Sequence, residues 1–352
     1  MHFLAATICL IACHGGPAAH FADFARALEE RGHHVEIYAA GPAYAQLVER
    51  GVQPHEFVIA PGAEEKLVAS VQDADVVLTD IGHPFAETVQ RTLKERAPGV
   101  KRLAYYDNPE SFVPGGYSEV AARVAAVSEG VLFANGRLAN VCMLHAKQFP
   151  VGYFPMARVD LMRERRTAEK AEMQKQFFAQ HKLTARKVLV YFGGNNEVYF
   201  SQALPAGLEH FAQVSKQLPP FVFVFQQHPG AKAAGRDRAL VEQWSRQHPE
   251  ISVVMSELKS DDAQVLADVA LYYQTSMGPQ WALSGIPAVQ VGHEVYSDVL
   301  VRGNLVPTAV TGDELVRAVV KALEAHEAST EPLLEELGID PDWPEKLSKL
   351  FL

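Results

Sequence analysis

The chain is poor in cysteine, with Cys9, Cys13 and Cys142 the three in 352 residues. An odd, sparse set makes no disulfide framework and fits a reducing compartment, so a cytoplasmic protein is expected. No Cys/His set has zinc-ligand spacing. The Asp-x-Asp at Asp340-Pro341-Asp342 lies next to a C-terminal helix pattern where capping is its expected use, so no metal is implied. No apolar run approaches the ~18 to 20 residues of a membrane span, and no integral membrane segment is expected. Excess positive charge is also absent. The formal net charge is -10, which disfavours broad nucleic-acid binding. The densest basic cluster is Arg163, Arg165, Arg166, Lys170 and Lys175. It alternates with acids and reads as a solvated helix face, with an acceptor- or membrane-facing patch as the alternative. Leu10-Ile11-Ala12-Cys13 spells the cleavage site of bacterial lipoproteins. No Lys or Arg precedes it, whereas a signal peptide wants a basic leading segment, and a first buried strand is the preferred reading.

What the chain does have is a glycine-turn-helix signature at the head of each half. Phe3 to Ala12 is an apolar strand running into Cys13-His14-Gly15-Gly16-Pro17, then a helix pattern and the strand Val35-Glu36-Ile37-Tyr38. Val188-Leu189-Val190-Tyr191-Phe192 runs into Gly193-Gly194-Asn195-Asn196. Continuous apolar strands alternating with amphipathic helices predict parallel sheets covered on both faces. The fold class is therefore α/β, with two Rossmann-like domains facing a central cleft. Backbone N–H groups and helix N-termini at such loops favour anions, which points to a phosphorylated ligand, a nucleotide first.

Residues 1–157 are expected to form the first domain, 158–186 a charged helical connection and 187–330 the second domain. A tail over 331–352 carries Trp343, Leu347, Leu350, Phe351 and Leu352 as an apolar helix face. Further helices are expected over Leu138–His145, Gln202–Leu218 and Pro279–Ser284, a short strand at Phe57-Val58-Ile59, and an N-cap at Ser260 or Asp261.

Two stretches resemble the GT-B fold of sugar-nucleotide glycosyltransferases and non-hydrolysing UDP-N-acetylglucosamine 2-epimerases, and the likeness extends over nearly the whole chain. The first is His14-Gly15-Gly16 through Leu28, with Arg31-Gly32-His33-His34-Val35. The second, more specific, is Ala267 to Leu271 followed by Thr275-Ser276-Met277-Gly278-Pro279-Gln280-Trp281 and Gly285-Ile286-Pro287. The resemblance implies a donor diphosphate at Ser276, Met277 and Gly278, on the N-terminus of the following helix, and a C-terminal helix that crosses back to the first domain. There are departures. Gln280 stands where many members carry a ribose-binding Glu, and Tyr272 replaces a second Glu eight residues earlier. That favours inversion over this retaining subgroup. The epimerases' acidic pair on the donor helix is missing, and the loop where they carry a characteristic Glu reads Tyr105-Tyr106-Asp107-Asn108-Pro109-Glu110.

Inverting transfer needs a base and support for the leaving diphosphate. The candidate bases are His14, Asp80 and Asp107 first, with His20 and His83 behind them. Each follows or ends an apolar strand or opens a helix. Each also has a plain structural alternative as a cap, a turn residue or a packed side chain. The candidate donor-binding residues are Gly15, Gly16, Gly193, Gly194, Asn195, His228, Ser276, Met277, Gly278, Gln280 and Asp298, with His293 and Glu294 beside the last. The expected function is an inverting, metal-independent glycosyltransferase of hexosyl or N-acetylhexosaminyl type. Its partners would be a nucleotide-sugar donor and a saccharide, lipid, protein or small-molecule acceptor, with no cofactor. A homodimer is compatible with this. The alternatives are a sugar-nucleotide 2-epimerase or hydrolase on the same fold, and a non-catalytic nucleotide-binding or scaffold protein.

Overall fold

The computed structural model describes residues 5–110, 116–138, 146–184, 187–228, 235–324 and 330–352. The chain forms two compact units, Met1–Pro155 with Leu337–Leu352, and Met156–Glu336.

The first unit runs β1 (Thr7–Ala12), α1 (Gly15–Glu29), β2 (His34–Ala39), α2 (Pro42–Glu49), β3 (His55–Glu56), α3 (Ala63–Val71), β4 (Val76–Asp80), α4 (Pro84–Arg96), β5 (Lys101–Tyr106), α5 (Gly116–Val127), β6 (Gly130–Phe133) and β7 (Lys147–Pro150). Among the described residues these strands make a seven-stranded sheet of order β3-β2-β1-β4-β5-β6-β7. Its pairs are parallel. All five residues of β4 are buried, as expected of a central strand covered on both faces. One core contains Leu10, Phe21, Phe24, Leu78 and Tyr105 on one side of the sheet. Another holds Cys9, Ile11, Val77, Val89 and Leu93. Cys9 and Cys13 are buried free thiols, and burial pushes the Cys9 thiol up to about 12.

The second unit runs α6 (Met156–His181), β8 (Lys187–Phe192), a π-turn over Tyr199–Ala203, α7 (Leu204–Val214), β9 (Phe221–Gln226), α8 (Arg236–Gln247), β10 (Val253–Met255), α9 (Ser260–Leu266), β11 (Val269–Tyr272), α10 (Gly278–Leu283), β12 (Ala288–Val291), α11 (Val299–Arg302), β13 (Thr308–Ala309) and α12 (Gly312–Glu324). A single 3-10 turn, Ser215–Gln217, follows α7. Its six-stranded parallel sheet, counted over the described residues, has the order β10-β9-β8-β11-β12-β13. Then come α13 (Glu331–Leu337) and α14 (Trp343–Leu350), the latter in the first unit.

Several expectations are corrected. Helix α6 is a working part of the second unit, because its basic residues bind α9 and the strand after it. Arg165 pairs with Asp262 at 2.9 Å and Lys170 with Asp268 at 2.8 Å. Arg166 donates to the carbonyl oxygens of Gln264, Val265 and Ala267. Arg163 and Lys175 do make local pairs on their own helix. The strand expected at residues 57–59 is shifted to His55–Glu56, where β2 supplies its partners. Phe57 instead stacks on Phe85. Neither Ser260 nor Asp261 is the N-cap of α9, which is Lys259 without a side-chain cap. Asp342 occupies the N-cap position of α14 without a side-chain bond, while Asp340 accepts from the Asp342 N–H at 2.8 Å. In the tail, Trp343, Leu347, Leu350 and Phe351 pack into the core of the first unit, and Leu352 is exposed. Most of the helix expected over residues 138–145 lies outside the described residues.

Candidate functional site

In an open parallel sheet, ligands bind beyond the carboxyl ends of the strands, where the strand order reverses. In the first unit that point lies between β1 and β4. It gathers three of the candidate bases. Asp80 ends β4 and is fully buried. Its Oδ2 accepts from the backbone N–H groups of Cys13 (2.7 Å) and His14 (2.9 Å), and lies 3.5 Å from His14 Nδ1. Asp80 Oδ1 has no hydrogen-bond partner. The His14 ring is therefore oriented by a buried carboxylate, and that contact, chiefly, raises its proton affinity, with Asp107 adding to it and burial opposing. His14 is the N-cap of α1 by backbone only, which leaves the imidazole free of capping duty.

Asp107 follows β5, the next strand over. Burial pushes its carboxyl up to about 6 from 3.8, with the Asp80 charge adding to the rise; its own backbone and His14 pull the other way. It reaches the cluster over Gly16, since a Cβ on residue 16 would run into Asp107 Oδ2. Gly15 and Gly16 belong to the first turn of α1 instead of a loop before it. A side chain at residue 16 would have to displace the Asp107 carboxylate, which bears on the glycine's expected role beside a phosphate.

His83 also joins this cluster. Its ring centroid is 5.3 Å from that of His14, and its Nδ1 accepts from Phe85 N at 3.1 Å, capping α4. That cap had been the alternative use for Asp80. His20 is separate: its Nδ1 lies 2.7 Å from the hydroxyl of the buried Tyr105, and its ring packs edge-on to Tyr153. It is a packing residue. Sequence reasoning missed Tyr117, whose ring covers Gly82 so closely that no Cβ fits there. The loop expected from Tyr105 to Glu110 lies within the described residues, and residues 111–115 lie outside them. That loop contains a turn in which Asn108 Oδ1 accepts from Glu110 N at 3.0 Å.

The second unit has its own reversal, between β8 and β11. Gly193, Gly194 and Asn195 follow β8, and Thr275 to Gly278 follow β11. A bond from Asn196 Nδ2 to Gln274 Oε1 at 2.6 Å ties the two segments together, and neither residue was singled out from the sequence. Asn196 Oδ1 also accepts from Tyr199 N at 2.8 Å. Gly194 has no room for a Cβ under the Tyr199 ring, and Gly278 none beside Leu300. These glycines are fixed by packing. Ser276 is exposed, and Thr275 Oγ1 accepts from Met277 N at 3.1 Å. Gln280 is only 8% exposed and its Nε2 lacks a hydrogen-bond partner. Helix α10 ends at Gly285, whose φ of 69° favours glycine, and Pro287 then leads into β12. This accounts for the Gly-Ile-Pro signature in structural terms.

His228 sits just past β9, half-buried, and burial lowers its proton affinity against the pull of Asp237. Asp298 is placed differently from its expected role on donor hydroxyls. It is buried and caps α11 through a 2.9 Å bond from Val301 N to Oδ1. Its Oδ2 takes bonds from Tyr272 (2.9 Å) and Gln290 (3.1 Å). Tyr272, standing where a retaining enzyme would have a Glu, thus serves that network. Glu294 accepts from Tyr273 at 3.2 Å and lies 3.5 Å from His293. Among the described residues, no group of three or more His, Cys, Asp or Glu is arranged to hold a metal ion, and no helix is long and apolar enough to cross a membrane.

No family model matches this sequence, and no curated protein does. Solved structures do match it in fold. The UDP-GlcNAc 2-epimerase from Methanocaldococcus jannaschii aligns with a TM-score of 0.66 at 13% identity, over 98% of this chain and 99% of that one. The UDP-GlcNAc 2-epimerase from Neisseria meningitidis, bound to UDP-GlcNAc, gives 0.62 at 10% identity over 98% of each chain. A glycosyltransferase from Rickettsia africae gives 0.64 at 11% identity, over 99% of this chain and 93% of that one. At such identities the likeness is one of fold: the chain is an α/β protein of two Rossmann-like sheets, sharing its fold with UDP-GlcNAc 2-epimerases and GT-B glycosyltransferases.

Proposed function

We propose that this chain is a sugar-nucleotide enzyme that moves a proton at the sugar, acting as a 2-epimerase on a UDP-N-acetylhexosamine. The observation that carries this is an acid and a base within one cluster. Asp107 gives up its proton near pH 6, while the Asp80 carboxylate orients His14 and holds its proton above the ordinary 6.5. Groups whose environments separate their proton affinities are how a site obtains both roles. In the forward half-reaction a base takes the C2 proton, the C1–O bond to the diphosphate breaks, a C1–C2 double bond forms and UDP departs. In the return, UDP adds back at C1 and an acid delivers a proton to the other face of C2. Asp107 is assigned the proton removal and His14, backed by Asp80, the return.

The nucleotide is assigned to the second unit, at Gly193–Asn196 and Thr275–Gly278. The buried, unpartnered Nε2 of Gln280 would find an acceptor on the ligand, since an unmade buried hydrogen bond is costly. The Neisseria meningitidis neighbour, bound to UDP-GlcNAc, supports this ligand class.

Inverting sugar transfer is the second reading, favoured by one feature. An imidazole backed by a buried carboxylate suits removal of a proton from an acceptor hydroxyl. The test is turnover of UDP-GlcNAc with no acceptor present, followed by chromatography. Formation of the 2-epimer supports epimerisation. Turnover only on adding an acceptor makes the protein a transferase. Binding without turnover under either condition sinks both readings.

A further inference from the structure

His83 was expected, from its residue type and place, to be one more candidate base. Its hydrogen bonding says otherwise. Residue 84 is a proline and has no N–H, so the first backbone donor of α4 is Phe85 N, and His83 Nδ1 accepts it at 3.1 Å. A ring nitrogen that accepts a hydrogen bond carries no proton. The neutral imidazole then holds its hydrogen on Nε2. From that state Nε2 has nothing to accept with. A second proton could go only to Nδ1, at the cost of the cap.

The neighbours act in the same direction. Burial is the largest influence against charge on His83, and His14 adds to it, while the Asp80 charge opposes them. The ring is half-buried and tilted at 59° to that of His14, with centroids 5.3 Å apart. The two histidines thus stand side by side with opposite hydrogen-bond character. Nδ1 of His14 faces an acceptor, the Asp80 carboxylate, which leaves its Nε2 able to take a proton. Nδ1 of His83 faces a donor, which leaves its Nε2–H to give a hydrogen bond.

We propose that His83 is a catalytic residue acting as a neutral hydrogen-bond donor, its Nε2–H directed at a substrate oxygen on which negative charge builds during turnover. This deepens the proposed sugar-nucleotide reading and rests on it. A fixed donor at such an oxygen stabilises the transition state without a proton changing hands.

His83→Asn separates capping from donation. Asparagine is a good N-cap and its side-chain oxygen replaces Nδ1 for Phe85 N, but it leaves no donor where Nε2 stood. The expected result is an unchanged melting temperature, UDP affinity as in the wild type, and kcat lower by on the order of 10²-fold, with the pH profile keeping its limbs. His83→Ala should lose stability as well. Nitrogen-15 NMR of the histidine rings provides a readout that needs no turnover: His83 should appear as the neutral Nε2–H form at pH 7. Full activity in His83→Asn would reduce His83 to a cap and overturn the proposal. An Nδ1–H form or a charged ring at pH 7 would do the same. Wild-type protein that fails to turn over any sugar nucleotide would overturn the underlying reading and the catalytic role with it, and the NMR result would tell that failure apart from an error in the tautomer.

Discussion

Gly16 and Asp107 explain each other. A side chain at residue 16 would meet the Asp107 carboxylate, and that half-buried carboxylate lies against the first turn of helix α1. The consequence is measurable. A carboxyl whose proton affinity is raised by folding stabilises the fold when protonated, fully below its ordinary value of 3.8. That contribution is lost as pH rises through about 6. Asp107→Asn should therefore raise the melting temperature at neutral pH, by on the order of 1 to 3 kcal/mol in unfolding free energy, and change little near pH 3. It should also remove activity. A destabilising effect at neutral pH would refute the raised value. For His14, the Asp80 contact sets the sign: the imidazole loses its proton above the ordinary 6.5, so the limb of kcat/KM that reports the acid should lie above that pH and fall as pH rises through it. His14→Ala should cost roughly 10²- to 10⁴-fold in kcat while the UDP-induced rise in melting temperature persists. If His14→Ala retains the limb, the acid is another group.

At the scale of elements, two helices each take polar contacts from one side chain beneath them. Helix α14 packs on α1, and His33 lies under it. Its Nδ1 accepts from Ala6 N at 3.3 Å and its Nε2 is 2.8 Å from Ser348 Oγ. Burial, then the Arg31 charge, lowers its proton affinity, and Arg31 is itself 3.7 Å from Glu345. The neutral ring is the one the fold needs. Its contribution is intact above 6.5, the unfolded value, and declines as pH falls below it. Melting temperatures measured from pH 8 to 5 should show this decline, and His33→Gln should flatten it. An equal slope in both proteins would exclude His33 as the cause. In the second unit, Arg166 satisfies three carbonyls at and beyond the end of α9. Arg166→Met keeps the stem and removes the donors, so it should cost about 1 to 3 kcal/mol. Urea denaturation within 0.5 kcal/mol of the wild type would show that water replaces the guanidinium.

For the whole molecule, the alternation of buried strands and helices was legible because parallel strands covered on both faces read as apolar runs. The glycine-turn signatures marked the ends of β1 and β8 for the same reason. Short or edge pieces escaped: β7 ends in a proline and has no buried residue, β13 has two residues, and α11 has four. The cluster at the first reversal was legible as separate candidates. Its pairing was not, since His14 and Asp80 lie 66 residues apart in sequence and meet only because β1 and β4 are neighbours. Nor did residue type reveal which glycines answer to packing, as with Gly194 under Tyr199. Nor did it show that Asp298 would be spent on a helix cap and a buried tyrosine.

The central claim is that protons move at the sugar of a nucleotide sugar, without an acceptor. The most direct measurement is proton NMR of UDP-GlcNAc incubated with the protein in deuterium oxide. The account predicts loss of the C2 proton signal as deuterium enters, together with the 2-epimer, and neither change with His14→Ala. Retention of the C2 proton in wild-type protein that demonstrably binds the nucleotide sugar would contradict it.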